Sequence, residues 1–157
     1  MNFIDEFGKL EKQQGEKMKT TIGKWNIGVG LWVMASFMIY GFVLIYLRDF
    51  APGKEAWIAE YNVSPHFEAR LAHVHGNLFS LLNIVFGFLL IKLQVKENQA
   101  KWVSGLALTG LLMPLGILSE MYLGLPFYTV LVGGLSMFLA TVVLGVAVVQ
   151  MKQAKDI

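Results

Sequence analysis

ARLAHVHGNLFSLLNIVFGFLLIKL, residues 69–93, decides how this chain is read. It is long and apolar enough to cross a bilayer as a helix, which takes about 20 residues. Yet its first third carries Arg70, His73, His75 and Asn77, and Asn83 sits near its middle. An ionisable group at the centre of a membrane helix costs about 2.5–3.5 kcal/mol, so such residues need a reason to be there. Helical residues spaced by three, four or seven share a face. His66, Arg70, His73, Asn77 and Ser80 follow that spacing and form one polar stripe, flanked by Gly76, Asn83 and Gly87. His75 falls roughly opposite, on the side of Glu68. The two histidines of HVH therefore do not clamp one ion from a regular helix, where ligand pairs stand at i, i+3 or i+4.

Outward from this segment, three more stretches have membrane-spanning length: Trp25–Leu47, Trp102–Leu123 and Phe127–Gln150. Of the 157 residues, 55% are hydrophobic and only 15% charged, against about 25% charged in an ordinary soluble domain. The predicted fold is an all-α membrane protein, a four-helix transmembrane bundle over residues 25–150. A polar, amphipathic N-terminal segment (1–24) precedes it and a short tail (151–157) follows. Phe3, Ile4, Phe7 and Leu10 are spaced along one helical face, which predicts a short surface helix at the N-terminus. That segment is too polar for a cleaved signal peptide, so the first span is expected to act as its own insertion signal. The lack of cysteine excludes disulfides, thiolate catalysis and Cys-ligated metals. A net charge of +2 gives no case for nucleic acid.

Basic residues set the orientation. Lys9, Lys12, Lys17, Lys19, Lys24, Lys92, Lys96, Lys101, Lys152 and Lys155 fall on one side of the four spans; Arg48, Lys54 and Arg70 fall on the other. Both termini are expected in the cytoplasm, with the Arg48–Glu68 loop outside and the protein multi-pass in the cell inner membrane. Trp25, Trp102, Tyr46, Tyr122 and Tyr128 stand near the boundaries, where interfacial aromatics belong. Pro114 removes a backbone hydrogen bond and frees the Gly110 carbonyl, so the third span should kink.

A histidine near the outer end of an apolar helix, facing glycine-bearing neighbours, suits haem. Imidazole supplies an axial ligand, an arginine meets the propionates and the bundle sheathes the ring. The bland alternatives are a His66 solvated among headgroups, Ser80 and Asn83 bonding between helices, and glycines that only let helices approach. Without Cys-x-x-Cys-His any haem is non-covalent haem b.

The layout resembles that of styrene oxide isomerases, small four-helix membrane enzymes with b-type haem. The matching features are EKM at 16–18, IGVGLW at 27–32, Pro52-Gly53 in the loop, and EARLAHVHG at 68–76 followed by an asparagine. The resemblance implies that the histidine of the Ala-His pair, here His73, ligates ferric haem at the subunit interface of a trimer. It implies a small apolar epoxide as substrate, with iron acting as a Lewis acid on its oxygen and a hydride shift giving the carbonyl product. His75 is the alternative ligand and Arg70 the propionate partner. Asn77, Asn83 and Tyr122 are the candidate catalytic groups. The spacing from histidine to the family's catalytic asparagine is not reproduced, and the third span, LALTGLLMPLGILSEMYLG at 106–124, keeps only Glu120 and Tyr122 near its end. AHVHGN is also similar to histidine segments of haem–copper oxidase-type subunits, which implies electron transfer or gas sensing instead. A membrane protein without cofactor is the third reading.

Overall fold

The computed structural model describes residues 3–63, 65–93 and 95–151. Six helices follow one another: α1 (Phe3–Asp49), α2 (Lys54–Ala59), α3 (His66–Lys92), α4 (Glu97–Gly110), α5 (Leu112–Leu123) and α6 (Tyr128–Val149). Four helical stretches are long and apolar enough to cross a membrane, with α4 and α5 together forming the third. The protein is thus an all-helical chain with the composition and helix lengths of a multi-pass membrane protein.

The N-terminal segment is helical from Phe3 onward. The N-terminal segment and the first span are one continuous helix of 47 residues, about 70 Å long at 1.5 Å per residue. No proline interrupts the junction, and the Thr20 and Thr21 hydroxyls donate back to the Glu16 and Lys17 carbonyls at 2.9 and 3.0 Å. A hydrocarbon core is about 30 Å thick, so α1 must run well beyond it. Leu10, of the proposed apolar face, is exposed; the side chains of Phe3, Ile4 and Phe7 lie outside the described residues, as do Lys152 and Lys155 of the tail.

The third span breaks where Pro114 predicts. Gly110 ends α4, and the Leu111 N–H donates to the Leu108 carbonyl at 3.1 Å, a tighter turn than the α-helix. Glycine lets α6 lie against this break: a Cβ on Gly133 would come within 2.1 Å of the Met113 nitrogen. The α5–α6 turn is closed by Gly124 at φ 63°, a left-handed conformation that costs glycine little.

The main contacts run α1 to α3, α3 to α5, and α4 and α5 to α6, with α1 and α3 also touching α4. The second and third spans therefore form the middle of the bundle, and α1 and α6 flank it. One core at the lysine-rich end joins Phe86, Leu90, Val103 and Leu144; a smaller one at the loop end joins Phe37, Ala72 and Ile117. The flanks keep large apolar side chains outside, Trp32 being 79% exposed and Phe138 62%. In water such faces would be a liability; in a bilayer they meet acyl chains at no cost.

Candidate functional site

The polar stripe of α3 is chiefly the seam on which α1 lies. The two helices run antiparallel and touch through small residues. A Cβ on Gly87 would reach the Gly23 carbonyl at 2.5 Å, and one on Gly30 would reach the Ser80 carbonyl at 2.8 Å. A Cβ on Gly76 would strike the Phe37 ring at 2.3 Å. Backbone approach this close is how membrane helices gain packing energy without a hydrophobic drive.

Asn83 lies deep in the seam, fully buried, and both N–H donors and the oxygen of its amide are engaged. Its Nδ2 donates to the Phe79 carbonyl at 3.0 Å and to the Ala107 carbonyl of α4 at 2.8 Å. Its Oδ1 accepts from Asn26 Nδ2 of α1 at 3.0 Å. Asn26 is buried too; it donates to the Ser104 carbonyl at 3.4 Å and accepts from the Ser104 hydroxyl. Asn26, Asn83 and Ser104 thus form a closed clasp of three spans. Asn26 and Ser104 were not singled out in the sequence; a lone asparagine inside the first span, in WNIGVG, was the signal for the clasp. Ser80 bonds only its own helix, through the Gly76 carbonyl at 2.6 Å.

His73 stands near the loop end of the seam, where it opens. Gly41 of α1 clears the space for the imidazole: a Cβ there would lie 2.6 Å from His73 Cε1. Through this gap His73 Nδ1 comes 2.9 Å from the Phe37 carbonyl. A carbonyl only accepts, so Nδ1 carries a proton, and in the neutral ring Nε2 keeps its lone pair. No partner meets Nε2 among the described residues. His73 borders an open, apolar groove of about 360 Å³ whose other walls are Met38, Gly41, Phe42, Leu44 and Ile45. Asn77, one turn along, donates to the His73 carbonyl at 2.9 Å. Its 3.4 Å approach to His73 Nδ1 sets two donors side by side and is not a bond.

The remaining candidates spread around this point. Arg70, one turn above His73, lies over the Tyr61 ring at 3.5 Å and donates to the Tyr61 carbonyl at 3.3 Å. Only one of its five N–H donors is engaged there. His75 is turned back on its own helix, donating from Nδ1 to the Leu71 carbonyl at 2.9 Å with its ring edge-on to Phe79. Tyr122 of α5 meets Tyr40 of α1 at 3.2 Å between hydroxyls, an outer brace between the first and third spans. His66, expected to be solvated, is instead 5% exposed. It stacks on Trp57 at 4.2 Å and donates to the Trp57 carbonyl at 2.6 Å, because α2 folds back over the start of α3. The Trp57 indole N–H is buried there without an acceptor among the described residues.

The sequence pattern puts His73, Asn77 and Arg70 on one face but carries no sign of what orients the histidine. A backbone carbonyl leaves no mark in a sequence, and Gly41 reads like any packing glycine. Among the described residues no three His, Asp or Glu side chains gather as a metal cluster. No known protein family, curated protein or solved structure matches the chain.

Proposed function

We propose that this chain binds haem b through His73 and, as the resemblance in EARLAHVHG implies, isomerises small apolar epoxides in the membrane. The observation that carries the haem reading is the His73 Nδ1 bond to the Phe37 carbonyl, which presents a neutral Nε2 beside an apolar groove. Metal-binding histidines are commonly held in this way, by a hydrogen bond from the other ring nitrogen. The residues present fit the group. Among the described residues Nε2 has no protein partner, the walls are apolar, and Arg70 keeps donors for a propionate about 4.5 Å further along the helix.

When bound, ferric haem would supply a Lewis acid for the epoxide oxygen, with no net redox change. The chain's own contributions are positional. Gly41 and Phe37 hold the imidazole plane, Met38, Phe42 and Ile45 exclude water, and Asn77 offers an amide beside the ligand for the substrate. Asn83, engaged within the clasp, holds the spans together and is not assigned to the reaction. Tyr122, paired with Tyr40, braces the outer end. The groove is open on one side, so a flat macrocycle needs a second wall. A neighbouring copy in a homo-oligomer, a trimer by the resemblance, supplies it.

The test is conversion of an aryl epoxide to its aldehyde by haem-loaded protein, in ferric and dithionite-reduced forms. The proposal expects turnover in the ferric form and slower turnover on reduction. Asn77→Ala should keep the haem and lower turnover. Met38, on the same groove as His73, favours one second reading: a Met38 thioether from a neighbouring copy would make a six-coordinate electron carrier. Loaded protein that converts no epoxide in either oxidation state selects that reading.

A further inference from the structure

We infer that the lysine-rich end of the bundle carries a binding site for the phosphate headgroup of an anionic membrane lipid. A groove of about 670 Å³ lies between α1 and the α3–α4 turn. Lys19 borders it from α1, and Lys92 and Lys96 from the turn. Two acidic residues, Glu16 and Glu97, also line it. Glu97 is already held by Lys101 at 2.7 Å. Among the described residues none of Lys19, Lys92 and Lys96 has a carboxylate partner, the only ion pairs being Lys101–Glu97 and Arg48–Asp49. Three lysines thus line one cavity with Glu16, which has no cationic partner among the described residues; the Lys92 ammonium rests 5.9 Å from the Phe88 ring centroid, without a carboxylate. Positive charge concentrated in this way, in a built groove, calls for an anion.

Position and walls identify which anion. Lys92 is the last residue of α3, so the groove begins where the apolar span ends. Trp25 and Trp102, exposed on α1 and α4 slightly deeper along the spans, mark the same interfacial zone. Ile91, Leu93 and Val95 provide an apolar floor beside the ammonium groups. A free phosphate uses only the charges. A lipid uses both, its phosphate on the lysines and the upper part of an acyl chain along the floor. Basic pockets between membrane helices on the cytoplasmic side are recognised lipid headgroup sites in general. The inference is independent of haem, which belongs to the opposite end of the molecule.

The experiment is native mass spectrometry of the protein released from bilayer nanodiscs of mixed phosphatidylglycerol and phosphatidylcholine. Wild-type protein should retain phosphatidylglycerol over phosphatidylcholine by on the order of tenfold. Lys19→Gln, Lys92→Gln and Lys96→Gln should each lower that ratio several-fold, and the triple variant should bring it near one. Helicity by circular dichroism confirms that each variant is folded; should the triple variant fail, the single ones carry the test. Lys9→Gln/Lys24→Gln/Lys54→Gln removes the same charge away from the groove and should leave the ratio unchanged. Equal loss in that control, or no preference in the wild type, overturns the site. Displacement of the retained lipid by millimolar inorganic phosphate overturns the lipid assignment in favour of a free anion.

Discussion

His73 acquires its role from a neighbour that is not a side chain. Its Nδ1 bond to the Phe37 carbonyl exists because residue 41 has no Cβ to stand in the way. Gly41→Val should therefore push the imidazole aside and lose the haem, while the helix content by circular dichroism stays as in the wild type. Asn83 belongs to a different kind of effect. Asn83→Ala leaves Asn26 and the Ala107 carbonyl short of a partner, and interhelical hydrogen bonds of this type are worth about 0.6 kcal/mol, up to about 1.7. Unfolding in mixed detergent should show a loss of about 1–2 kcal/mol, with the haem spectrum unchanged. Trp57→Phe should be neutral or slightly stabilising in the same assay, since it removes a buried donor that has no acceptor among the described residues. A destabilised Trp57→Phe would mean that the indole N–H has a partner in the membrane.

At the scale of elements, the polar stripe of α3 was legible because a period of 3.6 residues is written into side chains. What the stripe faces was not legible. Gly76, Ser80, Asn83 and Gly87 turn out to seat α1, and only His73, at the loop end, borders a groove. Polarity alone cannot distinguish a seam from a site, since both keep polar atoms away from lipid. Pro114 was readable for the opposite reason: a missing N–H acts locally, and the break at Leu111 follows from it whatever packs nearby. The continuous α1 was missed because a change of composition near Lys24 looks like a boundary, while backbone propensity there is uninterrupted. The close approach of α6 to the break yields a prediction of its own. Gly133→Leu would drive a side chain into the Met113 backbone and should cost at least about 1–3 kcal/mol, the range for overpacking. An equal cost for Gly145→Leu, where the space is open, would contradict that packing.

For the whole molecule, four apolar spans with exposed flanks argue for a bilayer, and the ten-to-three division of basic residues argues for cytoplasmic termini. Single cysteines at Glu60 and Asn98, both exposed, test this with a membrane-impermeant thiol reagent on intact cells. Labelling at 60 alone is expected; labelling at 98 alone would reverse the orientation. The arrangement as a whole puts His73 beside a groove at one end of the bundle, a polar clasp in its middle and a lysine groove at the other end. The claim on which the functional reading turns is that His73 Nε2 holds haem. It is tested most directly by the visible absorption spectra of wild type, His73→Ala and His75→Ala, each purified after growth with ample haem. The account predicts a Soret band for the wild type and for His75→Ala, and none for His73→Ala. A wild-type protein without the band, or a His73→Ala protein that keeps it unchanged, would contradict it.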